Sequence, residues 1–180
     1  MKAVLCEKLG DPSTLSIIDI PLRPPREGEV KIKIKAAGIN FPDILMVAGK
    51  YQHKPKLPFI PGFEVAGQIS EMGSASEKFH CGDNVMAHMR TGGYAEECVV
   101  PIEKIRSLPK NFDFAQGAGF QVAYSTAYVS LVPRGNLVEG ETLLVHGAAG
   151  GVGLAAVQLG KALGAKVIAT VSSPKKVLAA

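Results

Sequence analysis

Six residues, Ala148-Ala149-Gly150-Gly151-Val152-Gly153, carry the densest chemical signal in this chain. They sit between an apolar run, Thr142–His146, and a segment with apolar residues at helical spacing, Gly151–Leu163. A turn of this composition needs little side-chain volume. Gly150 lets the backbone approach a pyrophosphate, and Gly153 lets helix and strand pack closely. The first helical turn then offers unpaired N–H groups and a partial positive charge to phosphate oxygens. A glycine-rich turn alone is a weak signal. Here a second apolar run, Lys166–Val171, completes a strand–helix–strand unit, which is the context a dinucleotide site requires. Gly150, Gly151, Val152 and Gly153 are therefore the candidate pyrophosphate-binding residues.

The end of the second strand bears on which dinucleotide. A site for NAD places Asp or Glu there to accept hydrogen bonds from the ribose 2′-hydroxyl. Between Leu154 and Ala180 there is no acidic residue; Ser172 and Ser173 close the strand, with Lys175 and Lys176 behind them. Hydroxyl donors and an ammonium suit a 2′-phosphate, at about 1.5–3 kcal/mol for a charge-assisted bond. The same residues also read as a helix cap, Ser173 ahead of Pro174, followed by exposed lysines. The two readings are compatible, and together they favour NADPH over NADH.

The elements that must hold this unit change character along the chain. Candidate strands are Ala3–Glu7, Leu15–Ile20, Val30–Ala36, Glu64–Glu71, Asn84–Met89 and Tyr94–Val100, separated by turns such as Gly10-Asp11-Pro12 and Thr91-Gly92-Gly93. Short, frequently punctuated strands predict a barrel-like all-β domain. From about Asp113 the uncharged run "FAQGAGFQVAYSTAYVSLV" predicts a buried helix or helix pair, and Pro133–Glu141 a loop. The final βαβ unit makes the second part α/β. The two architectures meet near residues 112–140.

Composition narrows the function classes. With 47% hydrophobic residues, the 180-residue chain can bury a sizeable core. Its net charge of +4 is spread out. The densest set, Lys31, Lys33 and Lys35, alternates with Val30, Ile32 and Ile34, the pattern of one solvated strand face. This argues against nucleic-acid binding. Three scattered cysteines, Cys6, Cys81 and Cys98, predict no disulfide framework and reducing, cytoplasmic surroundings. The N-terminus lacks the apolar stretch of a signal peptide. Phe114–Pro133 and Thr142–Gly160 are too polar for membrane spans. His53, His80, His88 and His146 show no metal-ligand spacing.

With both halves placed, the chain resembles the front part of the medium-chain dehydrogenase/reductase superfamily, and within it the zinc-free, zeta-crystallin-like quinone oxidoreductases. The stretches that carry the resemblance are "AAGINFPDILMVAGKY", "LPFIPGFEVAGQI", "GDNVMA", "GGYAEECVVP" and "HGAAGGVGLAAVQLGKALGAKVI". The resemblance implies an α/β protein: a GroES-like β-barrel catalytic domain over residues 1–120, then a linking helix and the first βαβ unit of a Rossmann domain over 121–180. Zinc-dependent relatives carry Cys and His where this chain has Asn40 and Phe63, so the resemblance implies no metal. Without a Lewis acid, a conjugated acceptor is the easier substrate, because hydride addition gives a delocalised anion. The implied function is NADPH-dependent hydride transfer to a quinone or α,β-unsaturated carbonyl.

Carried over by position, the resemblance implies that Asn40 lies beside nicotinamide and substrate, and that Asp43 and Tyr51 are polar groups of the same cleft. Thr126 falls near the nicotinamide. Each has a plainer reading. Asn40 suits a turn before Pro42, Tyr51 an aromatic with a wet hydroxyl, and Thr126 a helix hydroxyl bonded to its own backbone. Relatives continue beyond the second strand, carry a dimer surface there and are expected to be homodimers, so the 180 residues read as a fragment. A catalytically incomplete chain acting as a binding module is therefore the alternative function. RNA binding, which has precedent in relatives, finds no support in the charge pattern.

Overall fold

Along the N-terminal half, apolar side chains recur at every second position, which puts them on one face of a pleated strand. In the computed structural model, which describes residues 1–180, this pattern forms seven strands. They are β1 (Lys2–Leu5), β2 (Ser16–Asp19), β3 (Glu29–Ala37), β4 (Glu64–Met72), β5 (Asn84–His88), β6 (Glu97–Pro101) and β7 (Ile105–Ser107). β1 and β2 form an antiparallel pair, and the other five an antiparallel sheet in the order β6-β3-β4-β5-β7. β7 is a short strand that the sequence does not announce. Residues 94–96, expected as the start of β6, bond to β1 as well: Val4 N–H donates to the Tyr94 carbonyl at 2.8 Å and Glu96 N–H to that of Lys2 at 3.0 Å, while the Glu96 carbonyl accepts from Ile34 of β3 at 2.9 Å.

Val30 and Ile32 of β3, Val65 and Ile69 of β4, and Val85 and Ala87 of β5 share one core with Cys98 and Val100 of β6 and Ile105 of β7. Side chains from both edge strands thus meet those from the centre, so the sheet encloses its own core as an open barrel. On β3, Lys31 pairs with Glu71 of β4, while Lys33 and Lys35 are exposed. The lysines thus lie on the outer face, as their alternation predicts.

Two helices attach to this unit. α1 (Phe41–Val47) follows β3. α2 (Phe114–Ala118) covers the outward residues Ala66 and Met86 of β4 and β5. Gly117 permits the close approach, because a Cβ there would stand 2.4 Å from Leu108 Cδ1 and 3.1 Å from Ala66 Cβ.

The chain divides into two units, Met1–Gln121 and Val122–Ala180. α3 (Gln121–Val129) leads into a π-helical turn, Ser130–Arg134. In contrast to the expected buried helix, α3 buries Ala127 while Tyr128 and Val129 are about half exposed. Its apolar residues are distributed around the helix, so no single packing surface covers them all. β8 (Thr142–His146), α4 (Gly151–Ala162), β9 (Lys166–Thr170) and α5 (Pro174–Val177) complete the chain. β8 and β9 pair in parallel, from Thr142 opposite Lys166 to His146 opposite Thr170. α4 packs on one face through Val157 against Val145 and Ala148. On the other face, Leu144 and Ile168 are 52% and 47% exposed.

The shared barrel core makes a direct prediction. Ile69→Ala lowers unfolding free energy by about 2–5 kcal/mol in urea denaturation, whereas Ile17→Ala, at a side chain 73% exposed, changes it by less than about 0.5 kcal/mol. Equal losses would contradict the assignment of the core.

Candidate functional site

In the first unit, the polar groups converge where β3 ends and α1 begins. Asn40 is the N-cap, Pro42 occupies the first turn, and Asp43 stands three residues on. That order is a helix-start signature: proline loses no bond there, and an acidic side chain can reach back to the cap. The Asp43 carboxylate accepts the Asn40 N–H through Oδ2 at 2.8 Å and the Gly62 N–H through Oδ1 at 3.0 Å. Asp43 is only 3% exposed. Burial pushes its carboxyl above the ordinary value, while hydrogen bonds from Asn40, Tyr94 and Gly62 pull the other way. The Tyr94 hydroxyl also donates to the Gly38 carbonyl at 3.3 Å. Burial and then the bond to Asp43 push the Tyr94 phenol well up.

Glu64, the first residue of β4, is 2% exposed and accepts from Asn40 Nδ2 through Oε1 at 2.9 Å. Gly38 makes room for it, since a Cβ on Gly38 would lie 2.7 Å from Glu64 Oε1 and 2.4 Å from the Ala118 carbonyl oxygen. The Gly38 N–H donates to the Glu64 carbonyl at 3.0 Å. Asn40, Asp43, Glu64 and Tyr94 therefore form one connected cluster. The sequence suggests Asp43 as a group facing a cleft. The structure instead buries it, with its oxygens committed to two backbone N–H groups and the Tyr94 hydroxyl, as a carboxylate that fixes the wall of the site. Tyr51 lies outside these hydrogen bonds and stacks edge-on against Phe63, with ring centroids 5.7 Å apart.

In the second unit, a recess of about 310 Å³ opens beside the glycine turn. It is lined by His146, Gly147, Ala149, Gly150, Thr170, Val171, Ser172 and Lys176. Gly150 caps α4, whose first N–H groups have no partners within the helix. Gly153 is the packing glycine: a Cβ there would come within 2.4 Å of the Gly147 carbonyl oxygen and 2.8 Å of Ala148 Cα. Nothing stands within 4 Å of a Cβ on Gly151, and Val152 is partly exposed on the first turn. Lys176 Nζ donates to Ser172 Oγ at 3.0 Å. His146 Nδ1 and Thr170 Oγ1 stand 2.8 Å apart across the strand pair. Hydroxyls, an ammonium and a helix N-terminus line this recess and no carboxylate does, a donor set suited to an anionic ligand.

Two other expected residues lie differently. Thr126 donates to the Val122 carbonyl at 2.6 Å, a bond to its own helix. Ser173 is the residue before α5 and does not line the recess. Glu64, Tyr94, His146 and Thr170 belong to the two clusters without having been singled out from the sequence. For Glu64 there is no clear signal, because an acid at a strand start reads as exposed. No group of three or more His, Cys, Asp or Glu side chains is placed to hold a metal ion. No helix is long and apolar enough to cross a membrane.

Comparison with known proteins places this geometry among relatives. The chain is 40% identical over 172 residues to the quinone oxidoreductase of Homo sapiens, covering 94% of this chain and 52% of that protein. The quinone oxidoreductase of Escherichia coli, solved in complex with NADPH, superposes with a TM-score of 0.91 at 34% identity, over 99% of this chain and 55% of the other. Human synaptic vesicle membrane protein VAT-1 homolog-like protein superposes with a TM-score of 0.93 at 35% identity, covering 99% and 58%. The chain spans about half the length of the curated quinone oxidoreductases it matches. Residues 26–139 match the alcohol dehydrogenase GroES-like domain, and the chain belongs to that family.

Proposed function

We propose that this chain provides the acceptor-binding barrel and the first nucleotide-binding unit of an NADPH-dependent oxidoreductase that transfers hydride, without zinc, to a quinone or an α,β-unsaturated carbonyl. The observation that carries this reading is the recess that gathers the Gly150 turn, Ser172 and Lys176 at the ends of β8 and β9. The similar quinone oxidoreductases, one of them solved with NADPH, support it.

The residues present fit the cofactor. The Gly153 position leaves no room for a side chain, and the helix start beside it favours a pyrophosphate. Ser172 and Lys176 would hold the 2′-phosphate, with Gly150 at the pyrophosphate. When bound, NADPH supplies the hydride.

The chain's own residues supply orientation and a proton. In the barrel unit, the Asn40 amide is fixed from two sides, its backbone by Asp43 and its side chain by Glu64. It is the group assigned to the acceptor oxygen. Hydride addition leaves a delocalised oxyanion on a quinone or enone, and a hydrogen bond to that oxygen is worth more in the transition state than in the ground state. Tyr51 is assigned the hydroxyl that hydrogen-bonds the acceptor or delivers a proton to the reduced product. Asp43 is assigned a positioning role only. The reading without zinc rests on the resemblance, since zinc-dependent relatives carry Cys and His where this chain has Asn40 and Phe63. A substrate whose conjugation makes a Lewis acid unnecessary fits that reading.

Two measurements check these assignments. Lys176→Ala weakens NADPH binding by about tenfold to a hundredfold in a fluorescence titration, and leaves NADH binding within about twofold; equal loss for both nucleotides would remove Lys176 from the phosphate. Asp43 gives a pH signature. Its folded carboxyl is raised, so the folded state holds the proton more tightly than the unfolded chain. The Asp43 contribution is then most favourable below the unfolded carboxylate value of about 3.9. It falls as pH rises toward the folded value, and is constant above that. Unfolding free energies measured from about pH 3.5 to pH 6 should therefore show wild type losing stability relative to Asp43→Asn as pH rises. A difference that grows with pH would reverse the assignment.

A further inference from the structure

The Asn40 side chain is an amide whose two ends are chemically opposite, one a donor and one an acceptor. Its usefulness to a bound carbonyl depends on which end is turned outward, and an amide on its own is free to flip. Here the capping box with the Asp43 N–H favours one orientation, and a second interaction fixes it. Glu64 Oε1 lies 2.9 Å from Asn40 Nδ2. A carboxylate accepts hydrogen bonds and does not donate them, so it can be satisfied only by the nitrogen end.

Glu64 is itself immobilised. It is 2% exposed. Its backbone carbonyl takes the Gly38 N–H at 3.0 Å, and its backbone pairs with His88 in the β4–β5 ladder. The glycine at position 38 is the condition for this arrangement, because any Cβ would press on Glu64 Cγ at 2.8 Å as well as on its carboxylate. Tyr94 holds the Gly38 carbonyl, and Asp43 holds the Asn40 N–H. The segment from Gly38 to Asn40 is thus pinned at its backbone; the Asp43 N–H of the capping box faces the Asn40 side chain, and Glu64 takes its nitrogen end.

We infer that Glu64 is a positioning residue for the proposed reaction. It holds one Asn40 N–H and presents the other to the acceptor oxygen. A buried carboxylate at the start of a central strand holds the nitrogen end of this amide, where the capping box reaches only its oxygen. The inference rests on the acceptor-facing role assigned to Asn40 above.

The test separates the two. In wild type, the Asn40 side-chain amide protons give two well-separated, exchange-protected 1H–15N signals, identified by their loss in Asn40→Ala. Glu64→Gln, whose carbonyl can still accept, keeps their shifts, whereas Glu64→Ala moves them toward those of a solvated amide and exposes them to exchange. In NADPH-dependent quinone reduction, Asn40→Ala and Glu64→Ala each lower kcat/KM about tenfold to a hundredfold. The double variant falls no further than either alone, and Glu64→Gln recovers most of the loss. NADPH affinity is unchanged in Glu64→Gln. Turnover that survives Glu64→Ala in a folded protein, while Asn40→Ala abolishes it, overturns the positioning role. Turnover indifferent to Asn40→Ala overturns the acceptor-facing role of Asn40, whatever the amide signals show. Should Glu64→Ala fail to fold, Asn40→Asp carries the test by setting two carboxylates face to face. It lowers the melting temperature, and adding Glu64→Gln restores it; no restoration overturns the contact.

Discussion

A buried carboxylate must fill its oxygens with donors or give up its charge, and Asp43 shapes the barrel half of this protein under that constraint. Its two oxygens take N–H groups from the start of its own helix and from Gly62, nineteen positions along the chain. One side chain therefore joins the end of β3, the first turn of α1 and the segment that enters β4. Asn40 and Glu64 lie on opposite sides of that junction and meet because it is tied. Without the tie, the residues would be separated by a turn, a helix and a long loop.

The nucleotide half works by the opposite means. Its geometry depends on missing side chains rather than on a network of them. Gly153 lets α4 approach the Gly147 and Ala148 backbone, and Gly160 lets it approach Leu143, where a Cβ would stand 2.6 Å from Cδ2. That double approach aims the helix start at the recess. Ser172 and Lys176 then line the same recess from the far side of β9. Steric absence sets the position, and a few donors set the charge preference.

The two halves also differ in how a substitution would act. In the barrel, the donors and acceptors are shared among four side chains, so each change redistributes bonds among the rest. In the nucleotide unit, Lys176 and Ser172 are exposed and bonded mainly to each other. Their removal changes the charge of the recess while the strands and helix stay in place. The thiols belong to neither polar cluster: Cys98 is buried in the barrel core, where desolvation pushes it up to about 12, and none of the three cysteines forms a disulfide.

Local patterns determined much of this protein directly from sequence. Alternation fixed the lysine face of β3 and most of the strands, and glycine spacing located the turn of the βαβ unit with β8 at the expected residues. Patterns of that kind are legible because they repeat over a few residues and reflect backbone geometry alone. The start of α1 is equally local, in Asn40-Phe41-Pro42-Asp43, although reading Asn40 as a turn residue before Pro42 stops short of the helix. The tertiary structure alone decided the burial of Asp43, the meeting of Glu64 with Asn40 and the donation of Tyr94 to Gly38. These join residues 19 to 56 positions apart, and an isolated Asp or Glu reads as exposed until its partners are known. Exposure of α3 was likewise undecidable from its uncharged run, because burial depends on what packs against a helix and not only on what it is made of.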